Sequence, residues 1–106
     1  MQQAKIIGFV YEDSETILIG TDQHVKFSVA VVAGSGDSQI YTWYKCLSRN
    51  KALLDRIKKG AKLFVEGNLS AKIYQTKSNE SKLDLTIYPH TVQVLNTQNS
   101  QQNEKN

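Results

Sequence analysis

The side chains able to do chemistry in this chain are flat rings and cations, and they are concentrated in one stretch. Between Lys45 and Lys77 stand nine Lys or Arg, at 45, 49, 51, 56, 58, 59, 62, 72 and 77, against two acids, Asp55 and Glu66. Residues 1 to 44 reverse this, with Lys5 and Lys26 against five acids at 12, 13, 15, 22 and 37. A net charge of +3 therefore hides a basic block. The only Trp, Trp43, opens that block, and Tyr74 stands near its end. Cations interleaved with aromatics suit a single-stranded nucleic acid: ammonium and guanidinium groups track phosphates while rings stack on bases.

Other chemistries find little support. His24 and His90 are the only histidines, on separate segments, and neither lies in a metal-ligand spacing. Glu12, Asp13 and Glu15 read as a solvated turn rather than a cation site. The run GSGD, residues 34 to 37, lacks the Lys and the following helix of a phosphate-binding loop. No Ser, His and Asp set forms a nucleophile motif. The expectation is a non-enzyme with no metal and no cofactor. One cysteine, Cys46, excludes an internal disulfide framework and reads as a small buried hydrophobe in a reducing cytoplasm. No signal peptide and no apolar run of about 20 residues is present, so no membrane partner is expected.

The elements that must position these residues are mostly strands. Residues 4 to 11 read as a first strand with a bend at Gly8, continued after a turn by the β-branched run 16 to 19. Residues 24 to 32 alternate, with Val25, Phe27, Val29 and Val31 on one face and His24, Lys26, Ser28 and Ala30 on the other. In the strand from Ile40 to Leu47, Trp43, Lys45 and Leu47 share the outer face, opposite Tyr44 and Cys46. Leu53, Leu54 and Ile57 recur at spacings of three and four, which predicts a helix over residues 50 to 60. Ser48 or Asn50 would cap it, Gly60 would end it, and Lys58 and Lys59 would lie in its last turn. From Lys62 to Tyr74 a two-residue period puts Lys62, Phe64, Lys72 and Tyr74 outward. Leu83, Leu85 and Ile87 read as inward, and Pro89 marks an edge or a bulge. Residues 96 to 106 hold no apolar side chain and read as a disordered polar tail after a domain spanning 1 to 95.

Five strands with one short helix between the third and fourth is the order of the all-β OB-fold, a Greek-key barrel. The chain resembles the bacterial single-stranded DNA-binding proteins over about residues 4 to 95. The segments that carry the resemblance are IIGFVYED, VKFSVAV, YTWYKCL and LLDRIKKGAKLFVEGNLSAKIY. It resembles their short forms, without the acidic, aromatic-tipped C-terminus that recruits replication and repair enzymes. Here the tail carries only Glu104 and Lys105, so recruitment by that route is not expected.

The resemblance implies that Trp43 and Tyr74 stack on bases and that Lys45, Lys51, Lys62 and Lys72 follow the DNA path; the charge of Lys77 in the basic block adds it to the expected phosphate contacts. Arg49 stands where many members carry a stacking ring, so stacking there would be by guanidinium. A further Trp common in the loop after strand two is absent from residues 33 to 39. The implied partner is single-stranded DNA, sequence-independently, in replication, repair or recombination at the nucleoid. The implied assembly is a homotetramer, with a homodimer as the alternative. Two other readings stand beside it: an OB-fold interaction module like the primosomal proteins, in which DNA binding is secondary, and, more distantly, an OB-fold nuclease.

Overall fold

A computed structural model describes residues 2–95; the expected polar tail, 96–106, lies outside the described residues. The chain runs through β1 (Gln2–Val10), β2 (Glu15–Ile19), β3 (Asp22–Ala33), β4 (Ile40–Ser48), α1 (Leu53–Arg56), β5 (Lys62–Gln75) and β6 (Ser81–Val94). A short 3-10 turn, Gly36–Ser38, joins β3 to β4.

The strands close on themselves. Their order is β1-β5-β6-β4-β3-β2, and β1 also pairs with β3. β1 runs antiparallel to β5 from Gln2↔Leu69 to Phe9↔Lys62, then turns to β3 through Phe9↔Ala30 and Val10↔Val29. β2 continues along the same β3, from Glu15↔Lys26 to Ile19↔Asp22. β1 and β2 are thus two halves of one bent strand, and the expected five-strand circuit holds. The parallel contact between β4 and β6, at Lys45↔Thr86 and Cys46↔Ile87, completes the OB-fold barrel. At the bend, a Cβ on Gly8 would come within 2.3 Å of the Ala30 carbonyl oxygen, so only glycine permits this approach.

Alternation fills the barrel. Val25, Phe27 and Val29 of β3, Cys46 of β4, Leu63 and Val65 of β5 and Ile87 of β6 form one buried cluster with Val10, Leu53 and Ile57. Tyr44 is half-buried against that cluster. Burial raises the Cys46 thiol pKa to about 12, which leaves it an inert hydrophobe. Pro89 does mark a bulge: Glu66 pairs with Thr91 and Gly67 with Pro89, so His90 is the extra residue. A Cβ on Gly67 would lie 2.3 Å from the Tyr88 carbonyl oxygen.

Two expectations are corrected. The helix has four residues, Leu53–Arg56, and Lys58 and Lys59 lie beyond it. Asn50 starts the turn into it by accepting the Ala52 amide at 3.1 Å. Its end is captured by the β1–β2 turn: the Ser14 amide and hydroxyl donate to the Ile57 carbonyl at 3.2 and 3.0 Å. Asp13 Oδ1 accepts the Lys59 amide at 2.8 Å, and Gly60 N–H donates to the Val10 carbonyl at 2.8 Å. These partners replace the bonds that would have continued the helix. Ile57 itself is fully buried but in extended backbone. Next, Leu83 is not inward but 61% exposed, and its cross-strand partner Ile73 is 75% exposed. The β5–β6 hairpin projects past the barrel there, so neither of its faces is covered. On β3, His24 and Ala30 share a face with Lys26 and Ser28, and both are buried. Ala30 is paired on both sides, with Phe9 and Trp43, and His24 pairs with Ile17 of β2, its ring Nδ1 3.3 Å from the Asp22 carbonyl oxygen.

Candidate nucleic-acid interface

The outer face of the barrel is built on β4. Tyr41, Trp43, Lys45 and Leu47 alternate along it, opposite Val32, Ala30, Ser28 and Lys26 of β3. Trp43 is 50% exposed, and Tyr41 and Tyr11 are similarly open. Tyr11 lies just past the end of β1, which Phe9↔Ala30↔Trp43 brings beside β4. Its ring centroid is 5.3 Å from Trp43 at 66° and 6.4 Å from Tyr41 at 79°. Such edge-to-face contacts fix ring orientation and are favourable beyond area burial. The Tyr11 phenol pKa is raised, first by loss of surrounding water and then by a hydrogen bond with Tyr41. Sequence reasoning found Trp43 but missed Tyr11 and Tyr41. Tyr41 shares the parity of Trp43, so its signal was available; Tyr11 lies in a turn, where no periodicity reports ring direction.

Beside these rings is a groove of about 310 Å³, lined by Tyr11, Trp43, Phe27, Ser28, Lys26 and the acids Glu12, Asp13 and Glu15. Glu15 and Lys26 form an ion pair at 3.7 Å. A second groove, about 420 Å³, includes His24, Leu47, Arg49, Tyr88 and Pro89. Arg49 Nη2 lies there 3.7 Å from Asp22 Oδ2. The Tyr88 ring across this groove was not among the sequence-derived candidates.

The predicted cations are distributed rather than clustered. Lys45 Nζ lies 3.8 Å from Asp84 Oδ1 of β6, and Asp84 is the register partner of Lys72 on β5. Lys45 and Lys72 therefore flank one carboxylate, which also accepts the Thr86 hydroxyl at 3.4 Å. Tyr74 lies further out along β5, half-exposed and opposite Lys82. Lys62 lies on the other side of the rings, its ammonium 5.9 Å from the Phe9 ring centroid. Lys51 stands in the turn before α1, and Lys77 in the hairpin turn. The structure thus joins Trp43, Lys45, Lys72 and Tyr74 along one outer face, places Lys62 at its far flank, and leaves Arg49, Lys51 and Lys77 on separate features.

Among the described residues, no group of three or more His, Cys, Asp or Glu side chains could hold a metal ion. No described helix is long and apolar enough to cross a membrane.

A barrel of this circuit, with a half-exposed Trp on β4 and lysines along the same face, defines an oligonucleotide-binding class of domain. A family model described as the single-strand binding protein family matches residues 1–95, and the chain belongs to that family. No curated protein matches it in sequence. Among solved structures, it is similar to a small single-stranded DNA-binding protein from Streptomyces coelicolor. The TM-score is 0.70 at 14% identity, over 89% of this chain and 94% of that one. It is also similar to the mitochondrial single-stranded DNA-binding protein Rim1 of S. cerevisiae, with TM-score 0.66 and 16% identity over 89% and 94%. A Plasmodium falciparum SSB in complex with ssDNA gives 0.64 and 18% over 91% and 96%. At these identities the likeness is one of fold.

Proposed function

We propose that this protein coats single-stranded DNA by stacking bases on Trp43 and neutralising phosphates along the same face. The observation that carries the reading is the half-exposed Trp43, flanked by Lys45 on β4 and held by Tyr11. Family membership supports binding to single strands as the activity. Lys45, Lys72 and Lys62 line the path nearest the rings; Lys51 and Lys77 extend it. Tyr74 offers a second ring on the projecting hairpin, and Arg49 offers a guanidinium plane beside Tyr88. The role is shielding rather than catalysis, in replication, repair or recombination at the nucleoid, with no cofactor.

Self-association as a homotetramer or homodimer belongs to the same reading. It is supported by two exposed apolar strips: Ile7 and Phe9 on β1, and Ile73 and Leu83 on the hairpin. Several copies would present several faces to one strand and add avidity. Those strips equally favour the interaction-module alternative, in which protein contacts dominate.

The deciding experiment is titration of the intrinsic fluorescence of Trp43 with oligo-dT at low and high salt, beside a Trp43→Ala variant in a direct binding assay. The expected result is quenching, weaker binding at high salt, and loss of most affinity in the variant. Absence of both quenching and binding at low salt would transfer the assignment to the interaction module.

A further inference from the structure

The cations nearest Trp43 are already answered by the protein's own carboxylates. β3 and β4 present Lys26 and Lys45 on the outer face, with Arg49 one residue past β4, and all three are ion-paired. Lys26 Nζ lies 3.7 Å from Glu15 on β2, Lys45 Nζ 3.8 Å from Asp84 on β6, and Arg49 Nη2 3.7 Å from Asp22 at the start of β3. Register puts the acids on the same face as their cations. Glu15 stands opposite Lys26, and Asp84 lies two residues before Thr86, the partner of Lys45. Lys51 and Lys77, by contrast, have no ion-pair partner among the described residues.

Exposed pairs of this kind add little to stability. Their consequence lies in what can approach the face. A phosphate drawn to Lys45 or Arg49 also meets Asp84 or Asp22 beside the same cation, and like charges repel. Duplex DNA keeps its bases in the stack, so attraction to its dense, rigidly spaced phosphates supplies essentially all of its sequence-independent binding. A single strand can lay bases on Trp43 and turn its phosphates toward Lys51 and Lys77. A charge-balanced face therefore hinders a duplex more than a single strand. Asp22 also leaves the Arg49 side chain 79% exposed, so the charge is answered while the guanidinium stays open beside Tyr88. We propose that Asp22 and Asp84, with Glu15 beside them, screen this face against duplex DNA and so make it select single strands. The inference rests on the single-strand-binding reading and assigns residues to a specificity obtained by placed repulsion.

The test measures oligo-dT and a blunt duplex of equal length, over a salt series, with the full chain and its Asp22→Asn/Asp84→Asn variant. Asparagine keeps the shape of each side chain, and its carbonyl can still accept the Thr86 hydroxyl that Asp84 accepts. A second variant, Asp37→Asn/Asp55→Asn, makes the same gain of two charges at exposed acids of the β3–β4 turn and α1 that form no ion pair among the described residues. At low salt the first variant should bind duplex about twentyfold tighter and oligo-dT about fivefold tighter, so its preference for single strands falls about fourfold. Its oligo-dT salt dependence should steepen by about 0.7 for each further phosphate held. The second variant should keep the parent preference. The screen is overturned if Asp22→Asn/Asp84→Asn keeps that preference, or if Asp37→Asn/Asp55→Asn lowers it as much. It is also overturned if oligo-dT binding weakens in an Asp22→Asn/Asp84→Asn protein with the parent melt, which would make the acids positioning groups. Failure of the full chain to bind oligo-dT at low salt overturns the single-strand reading, and the screen with it.

Discussion

From Lys62 to Leu69, β5 lies between β1 and β6, and there Leu63 and Val65 are fully buried. From Ala71 to Gln75, among the described residues, the same strand pairs with β6 alone, and Ile73 is largely exposed. The alternation of apolar and polar residues is continuous across both halves. What changes is whether another strand and the opposite barrel wall are present to cover the apolar face. A two-residue period therefore reports which side chains share a face, and a second layer decides whether that face is a core.

The largest expected effect tests that contrast directly. Leu63→Ala should lower stability by about 2–5 kcal/mol in denaturant unfolding, the usual range for emptying a packed site. Ile73→Ala should change it by under ~0.5 kcal/mol, as exposed positions do. If Ile73→Ala proves as costly as Leu63→Ala, the hairpin is covered in solution by another chain, and the two halves of β5 are alike after all.

At the boundary between the halves, Gly67→Ala should destabilise by about 1–3 kcal/mol, because the new methyl meets the Tyr88 carbonyl at the bulge. A thermal melt with the parent midpoint would show that the bulge relaxes freely. For binding, Trp43→Ala should weaken association with ssDNA by about 1–3 kcal/mol without changing the melt. Tyr74→Ala should weaken it less, since among the described residues no aromatic neighbour fixes its ring. Equal losses in titration would make the hairpin a full partner of the barrel face. The smallest effect should come from Asp84→Asn, which frees Lys45 from its ion pair and should tighten ssDNA binding by about two- to threefold at low salt. Weaker binding would mean that Asp84 holds Lys45 in its working position instead.

Much of the barrel was legible because strand parity is local. The outward placement of Trp43 and Lys45, the buried Cys46 and the bulge at Pro89 all follow from neighbours within a few residues. The helix was over-read for a reason of the same kind. Ile57 fits a helical spacing with Leu53 and Leu54, but Ser14, 43 residues away, takes its carbonyl instead. The pairing of Lys45 with Asp84 and the meeting of Tyr11 with Trp43 are likewise products of closure between distant segments. Sequence parity gives the face of each partner but not the meeting. Arg49 illustrates the limit from the other side: its charge was visible, whereas its commitment to Asp22 across β3 was not.

The turn that carries Tyr11, Glu12 and Asp13 is also the turn whose Ser14 holds the end of α1. The rim of the groove beside Trp43 and the floor of the barrel are therefore one cooperative unit. In hydrogen-exchange experiments, the amides of Val10, Ser14, Lys59 and Gly60, each bonded across this junction, should be released together, by openings that also expose Ile57. Amides of the projecting hairpin should exchange far sooner through local fraying. The groove is thus expected to keep its shape for as long as the barrel does, while the hairpin adjusts independently to whatever strand it meets.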